Sequence, residues 1–132
     1  MLNRLFAHKS EGKDGLNQQQ REAIVDVLHY CMYADNFIAL SESQFIAAKV
    51  DTLNWDPKIS FEYYQNKSIG EARKALSNAE SKEQFFKSVK QRLGNQTELA
   101  LSLTQKLFMS DGNKSPSENA VQNDLRKYLG KS

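Results

Sequence analysis

Ala34-Asp35-Asn36-Phe37-Ile38-Ala39-Leu40-Ser41-Glu42, a third of the way along the chain, has a counterpart near its end. That counterpart is Ser110-Asp111-Gly112-Asn113-Lys114-Ser115-Pro116-Ser117-Glu118. In both stretches the Glu follows the Asp by seven positions. Ala23, Ile24, Val27, Leu28, Cys31 and Met32 lead into the first Asp, and Ala100, Leu103, Leu107 and Phe108 into the second. Apolar residues at this i, i+3, i+4 spacing mark one face of a helix. Similar stripes follow each Glu, through Phe45, Ile46, Val50 and Leu53 and through Val121, Leu125 and Tyr128. The pattern is helix, acidic turn, helix, present twice. It predicts that residues 17–53 and 97–129 each form a helix pair, with Asp35 superposing on Asp111.

Helix starts can be read outward from these turns. A Ser, Thr or Asn oxygen can accept an N-terminal amide while a Glu or Gln three residues on reaches back. Asn17 with Gln20 opens a first helix that ends at Asp35, and Ser41 with Gln44 a second, closed by Asn54-Trp55-Asp56-Pro57, since the residue before proline resists the α region. Ser60 starts a short third over Phe61, Tyr63 and Tyr64, and Ser68 with Glu71 a fourth through Ile69, Ala72, Leu76 and Ala79. Ser81 with Gln84 starts a fifth through Phe85, Val89 and Leu93, stopped by Gly94. Thr97 caps a sixth, and Ser115-Pro116-Ser117-Glu118 opens the last, which runs to Gly130. The expectation is an all-α, single-domain bundle of about seven helices and no strand. Each helix would turn one apolar stripe to a common core of Leu28, Ile46, Leu76, Leu103, Leu107 and Leu125.

Length and composition agree. The 132 residues, 39% hydrophobic and 26% charged, suit one globular domain, here placed at 17–132 after an N-terminal segment and flexible linker at 1–16. Two prolines and six glycines are too few for a turn-rich β sandwich. Cys31, the single cysteine, excludes an internal disulfide or a cysteine-based zinc site and fits a reducing compartment, so a cytoplasmic protein is expected. No run approaches the roughly 20 apolar residues of a spanning helix, and Met1–Lys9 is too short and interrupted for a signal peptide. Net charge is +2, but residues 17–56 carry −4 and residues 57–92 carry +4. Opposed charge of this kind suits a protein partner or self-association, or else two solvated helix surfaces.

Most catalytic patterns are absent. No Gly-x-Ser-x-Gly elbow and no phosphate loop occur, and neither His8 nor His29 has a second His or a Cys placed as a co-ligand. His29 lies three residues after Asp26 and four before Tyr33, a helical pairing that satisfies a ring nitrogen. Lys82, Lys87, Lys90 and Arg92, with Arg73-Lys74 upstream, could meet phosphates. The acidic start of the last helix opposes that, and a solvated basic face is the default. Trp55, Phe61, Tyr63 and Tyr64 form the densest aromatic region, expected to plug the core rim.

The two acidic segments resemble the A-D-G-x-(I/V)-x-x-x-E turn of the TerB-like tellurite-resistance family of small helical bacterial proteins. The resemblance covers residues 17–130 in helix order but specific residues only in the turns. Asn36 stands where the family has Gly, and Ala39 where the second copy has Ser115. Co-chaperone N-terminal domains of the DjlA type share the fold, so the motif marks a superfamily rather than a task. The resemblance implies a non-enzymatic interaction or sensing module in a stress response such as tellurite resistance. It also implies an alternative, a divalent-cation-binding regulator in which Asp35, Glu42, Asp111 and Glu118 present a surface for Ca2+ or Mg2+. Hard oxygen ligands suit those ions. No EF-hand loop is present, however, and helix capping accounts for acids at these positions more simply.

Overall fold

Asn17 and Gln20 form the reciprocal capping box their spacing predicts. The Gln20 N–H donates to Asn17 Oδ1 at 2.8 Å, and the Asn17 N–H donates to Gln20 Oε1 at 3.0 Å. The computed structural model describes residues 16–34, 46, 48, 50, 53, 55–109 and 116–130, with the side chains of 116–119 outside that description. Among the described residues all regular structure is helical. The α-helices are α1 (Gln18–Ala34), α2 (Phe61–Ser77), α3 (Ala79–Leu93), α4 (Thr97–Met109) and α5 (Pro116–Leu129), with a 3-10 turn at Gly94–Gln96. Ile46, Ala48 and Val50 are also helical. The all-α class is correct, and the count of about seven helices is not supported. Both acidic turns, with Asp35, Glu42, Asp111 and Ser115, lie outside the described residues.

Part of the difference in count lies at Ser68. The expected third and fourth helices are one continuous helix, α2, started by Ser60, whose Oγ accepts the Tyr63 N–H at 3.2 Å. Ser68 does not cap. No proline interrupts residues 61–77, and the Ser68 hydroxyl turns inward to a carboxylate on α1, so its side chain offers the backbone no alternative to the helix. The next start is also displaced. Asn78, not Ser81, caps α3, its Oδ1 accepting the Ser81 N–H at 2.8 Å. Because Asn78 also terminates α2 in extended conformation, a single residue joins the two helices into a hairpin. Gly94 closes α3 as expected, at φ 58°, with its N–H on Lys90 O. Thr97 is helical and follows the 3-10 turn rather than capping.

Helix α1 departs from the single-stripe expectation. From Gln20 to Met32 every residue but Glu22 is buried, so the helix is enclosed on all sides. It contacts α2, α3, α4 and α5, and is the axis around which they pack. Leu28, Ile46, Leu103, Leu107 and Leu125 are buried as expected, whereas Leu76 is only partly buried. Tyr30 of α1 meets Phe85 and Phe86 at centroid distances of 5.5 and 4.8 Å, and Phe86 stacks on Tyr128 of α5 at 4.7 Å. Trp55 sits at the core rim, as expected, edge-on to Phe61 at 5.2 Å, its indole N–H donating to Ile59 O.

Candidate functional site

An enclosed helix must find partners for any polar side chain it carries, because an unpaired buried polar group costs several times what a made hydrogen bond contributes. Helix α1 buries four polar or charged ones. Gln20 donates to Leu93 O at 3.0 Å, and Arg21 donates to the carbonyls of Leu53 and Leu16. The other two, Asp26 and His29, meet the α2–α3 hairpin and organise its inner surface. Asp26 Oδ1 accepts the Ser68 hydroxyl at 2.6 Å and the Tyr64 hydroxyl at 2.9 Å. Its Oδ2 pairs with Arg92 Nη2 at 2.7 Å. One carboxylate thus ties three helices together.

Above this network lies a groove of about 360 Å³. Lys67, Glu71 and Lys74 of α2 form one wall, spaced by four and three residues and so on one helix face. Ser81, Gln84, Ser88 and Arg92 of α3 form the other, and Glu22 and Asp26 of α1 lie at the base. Tyr64, Ala75 and Phe85 supply the apolar part of the lining. Glu22 is held by Gln18 Nε2 at 3.4 Å. The cations and anions of the lining are matched in number.

Protonation states follow from the donors. Ser68 gives its proton to Asp26, so its oxygen accepts from His29 Nδ1–H, 2.8 Å away. The other ring nitrogen of His29 is buried without a partner among the described residues. Burial lowers the His29 pKa from 6.5 to about 4, against the pull of the Asp26 charge, and the ring is neutral at pH 7. Burial, followed by the Asp26 charge and hydrogen bond, pushes the Tyr64 hydroxyl well above its ordinary value. Burial works against the Arg92 charge, but the Asp26 carboxylate and the hydrogen bonds to Asp26 and Tyr64 more than offset it, and its pKa rises.

Asp26, Ser68 and His29 are therefore together but in the wrong order for a hydrolytic triad. In a triad the carboxylate orients the histidine and the histidine takes the serine proton. Here serine sits in the middle, donates to the carboxylate and is 1% exposed.

The acids singled out from the sequence are neither gathered nor separated. Asp35, Glu42 and Asp111 lie outside the described residues, as does the Glu118 side chain. Among the described residues no group of three or more His, Cys, Asp and Glu could hold a metal ion. His29 pairs with Ser68, a contact absent from the sequence pattern. Tyr33, the other expected neighbour, instead lies 5.9 Å below the Arg73 guanidinium. The basic row of α3 is not simply a solvated face, since Lys82 pairs with Asp124 at 3.3 Å and Arg92 with Asp26. Lys87 and Lys90 remain exposed.

Asp26 had a signal in the sequence. A carboxylate between Val25 and Val27, three residues after Ala23 and three before His29, sits inside the apolar pattern and so demands a buried partner. Nothing local to Asp26 names Arg92, 66 residues away. Comparison with family models, curated proteins and solved structures gives no match.

Proposed function

We propose that this protein is a non-enzymatic helical binding module, and that the groove between α2 and α3 receives its ligand or partner. The observation that carries this is the contrast between base and walls. At the base, Asp26, Tyr64, Ser68 and the inner edge of Arg92 are committed to one another, so none of these four is free to act as a nucleophile or general base. On the walls, Lys67, Glu71, Lys74, Gln84 and Ser88 are exposed. A rigid, internally satisfied floor under adaptable polar walls suits recognition better than turnover. Its volume lies at the small end of the range for ligand sites.

The resemblance of the acidic segments to TerB-like proteins, carried by the sequence alone, supports a setting for this module. That setting is a stress response of the tellurite-resistance kind in a bacterial cytoplasm, with a protein partner.

Photo-crosslinking in the cells that express the protein tests the groove. A photoreactive residue at Gln84, on the groove wall, should capture a discrete adduct that the same residue at exposed Gln105 on α4 does not. Equal labelling from both positions, or none from Gln84, refutes the assignment.

A further inference from the structure

We infer that the groove binds a small oxyanion, a carboxylate or phosphate group, between the outer edge of Arg92 and the two lysines of α2. The inference rests on the assignment of the groove as the binding site and adds the ligand's chemistry. Arginine has five N–H donors in a fixed fork. The Arg92 bonds use Nε toward Ser88, Nη2 toward Asp26 and a long 3.4 Å contact from Nη1 to the Tyr64 hydroxyl. Two N–H groups carry no bond among the described residues. The side chain is 24% exposed and lines the groove, so that edge is open to a ligand.

Other donors line the same groove. Ser88 uses its oxygen to accept from Arg92, and its proton is left to donate. Lys67 and Lys74 stand on the facing wall, about 10 Å apart along the axis at 1.5 Å per residue, with no ion pair among the described residues. Ser81 and Gln84 add a hydroxyl and an amide. Against these stand two anions. Glu71 lies between the lysines and leaves the α2 wall with one net positive charge, while Glu22 accepts from Gln18. Asp26 is spent on its three donors. The open hydrogen-bonding capacity of Arg92 and Ser88 is therefore donor, which an acceptor-rich ligand satisfies. Glu71 and Glu22 also restrict the ligand to a single compact oxyanion. A polymer of phosphates needs an uninterrupted row of cations, and this wall alternates in sign.

The test is a titration of the full chain with inorganic phosphate and, separately, with succinate, at ionic strength held constant with chloride and followed by two-dimensional amide and Arg Nε NMR. Saturable millimolar shifts at Ser88 and Arg92 are expected. The double variant Lys67→Gln/Lys74→Gln, at two exposed positions, should weaken binding about fivefold, as two solvent-screened charge contacts would. Arg92→Lys, which keeps a charge for Asp26 but removes the fork, should weaken it further. A response to phosphate alone identifies a phosphate-bearing ligand, and a response to both identifies the oxyanion itself. No saturable shift with either anion at tens of millimolar, or shifts indifferent to the lysine pair, overturns the inference. If the Gln84 crosslink forms while neither anion binds, the ligand chemistry is wrong and the groove assignment stands.

Discussion

Asp26 places a carboxylate, 5% exposed, at the junction of three helices, and the donors around it depend on that acceptor. Removing it by Asp26→Ala would leave Arg92 without its counter-ion and the Tyr64 and Ser68 hydroxyls without their acceptor. Breaking a buried pair from one side costs about 3–5 kcal/mol, and the partial exposure of Arg92 places the expected loss near the lower figure. Tyr64→Phe removes one of three donors and should cost about 1 kcal/mol. Urea denaturation midpoints distinguish the two, and equal losses would show that the ion pair is not dominant. His29 sets a pH dependence. Its pKa is about 4 folded and 6.5 in the unfolded chain, so between these values the unfolded chain binds more protons. Its contribution is complete above about pH 6.5 and falls as the pH drops through that window, by about 3 kcal/mol at the lower end. In His29→Leu the loss between pH 6.5 and 4.5 should be shallower than in the unaltered protein. Parallel profiles would contradict the buried neutral histidine.

At the scale of the helix, the caps decide where elements begin. Asn78 accepts the Ser81 amide, so Asn78→Ala should destabilise by about 1 kcal/mol, while Ser81→Ala should leave the thermal midpoint unchanged. The reverse order would restore Ser81 as the cap. Gly70 offers the opposite opportunity. It lies inside α2, exposed, and a Cβ there would meet nothing within 4 Å. Gly70→Ala should stabilise by about 0.5–1 kcal/mol through reduced backbone freedom of the unfolded chain. A lowered midpoint would mean that the helix does not run unbroken through residue 70. Gly94 would not tolerate the same change well, because its φ of 58° is one that side chains resist.

For the molecule as a whole, α1 is the central support. Leu28 is fully buried on a helix that touches all four other described helices, so Leu28→Ala should remove about 2–5 kcal/mol, a large share of a typical 5–15 kcal/mol total. Calorimetry should show one cooperative transition moved to lower temperature. An independent early transition would mean that the hairpin of α2 and α3 unfolds apart from the rest. The aromatic contacts of Tyr30 with Phe85 and Phe86, and of Phe86 with Tyr128, join α1, α3 and α5 and favour the single transition.

The sequence by itself determined the all-α class, the capping box at Asn17 and Gln20, the start at Ser60, the stop at Gly94, the proline at the first position of the last helix and most of the core. Periodicity and capping are local, and the residues that carry them lie within one or two helical turns of one another. The tertiary structure alone decided that Ser68 lies inside a helix, because its hydroxyl meets a carboxylate 42 residues away rather than a nearby amide. It alone decided that α1 is enclosed on every side, since the carbonyls of Leu93 and Leu53 that receive the buried Gln20 and Arg21 side chains come from distant parts of the chain. The groove was beyond the sequence for the same reason. Its base joins residues 26, 64, 68 and 92, and no pattern along a chain encodes which distant donors will answer one buried charge.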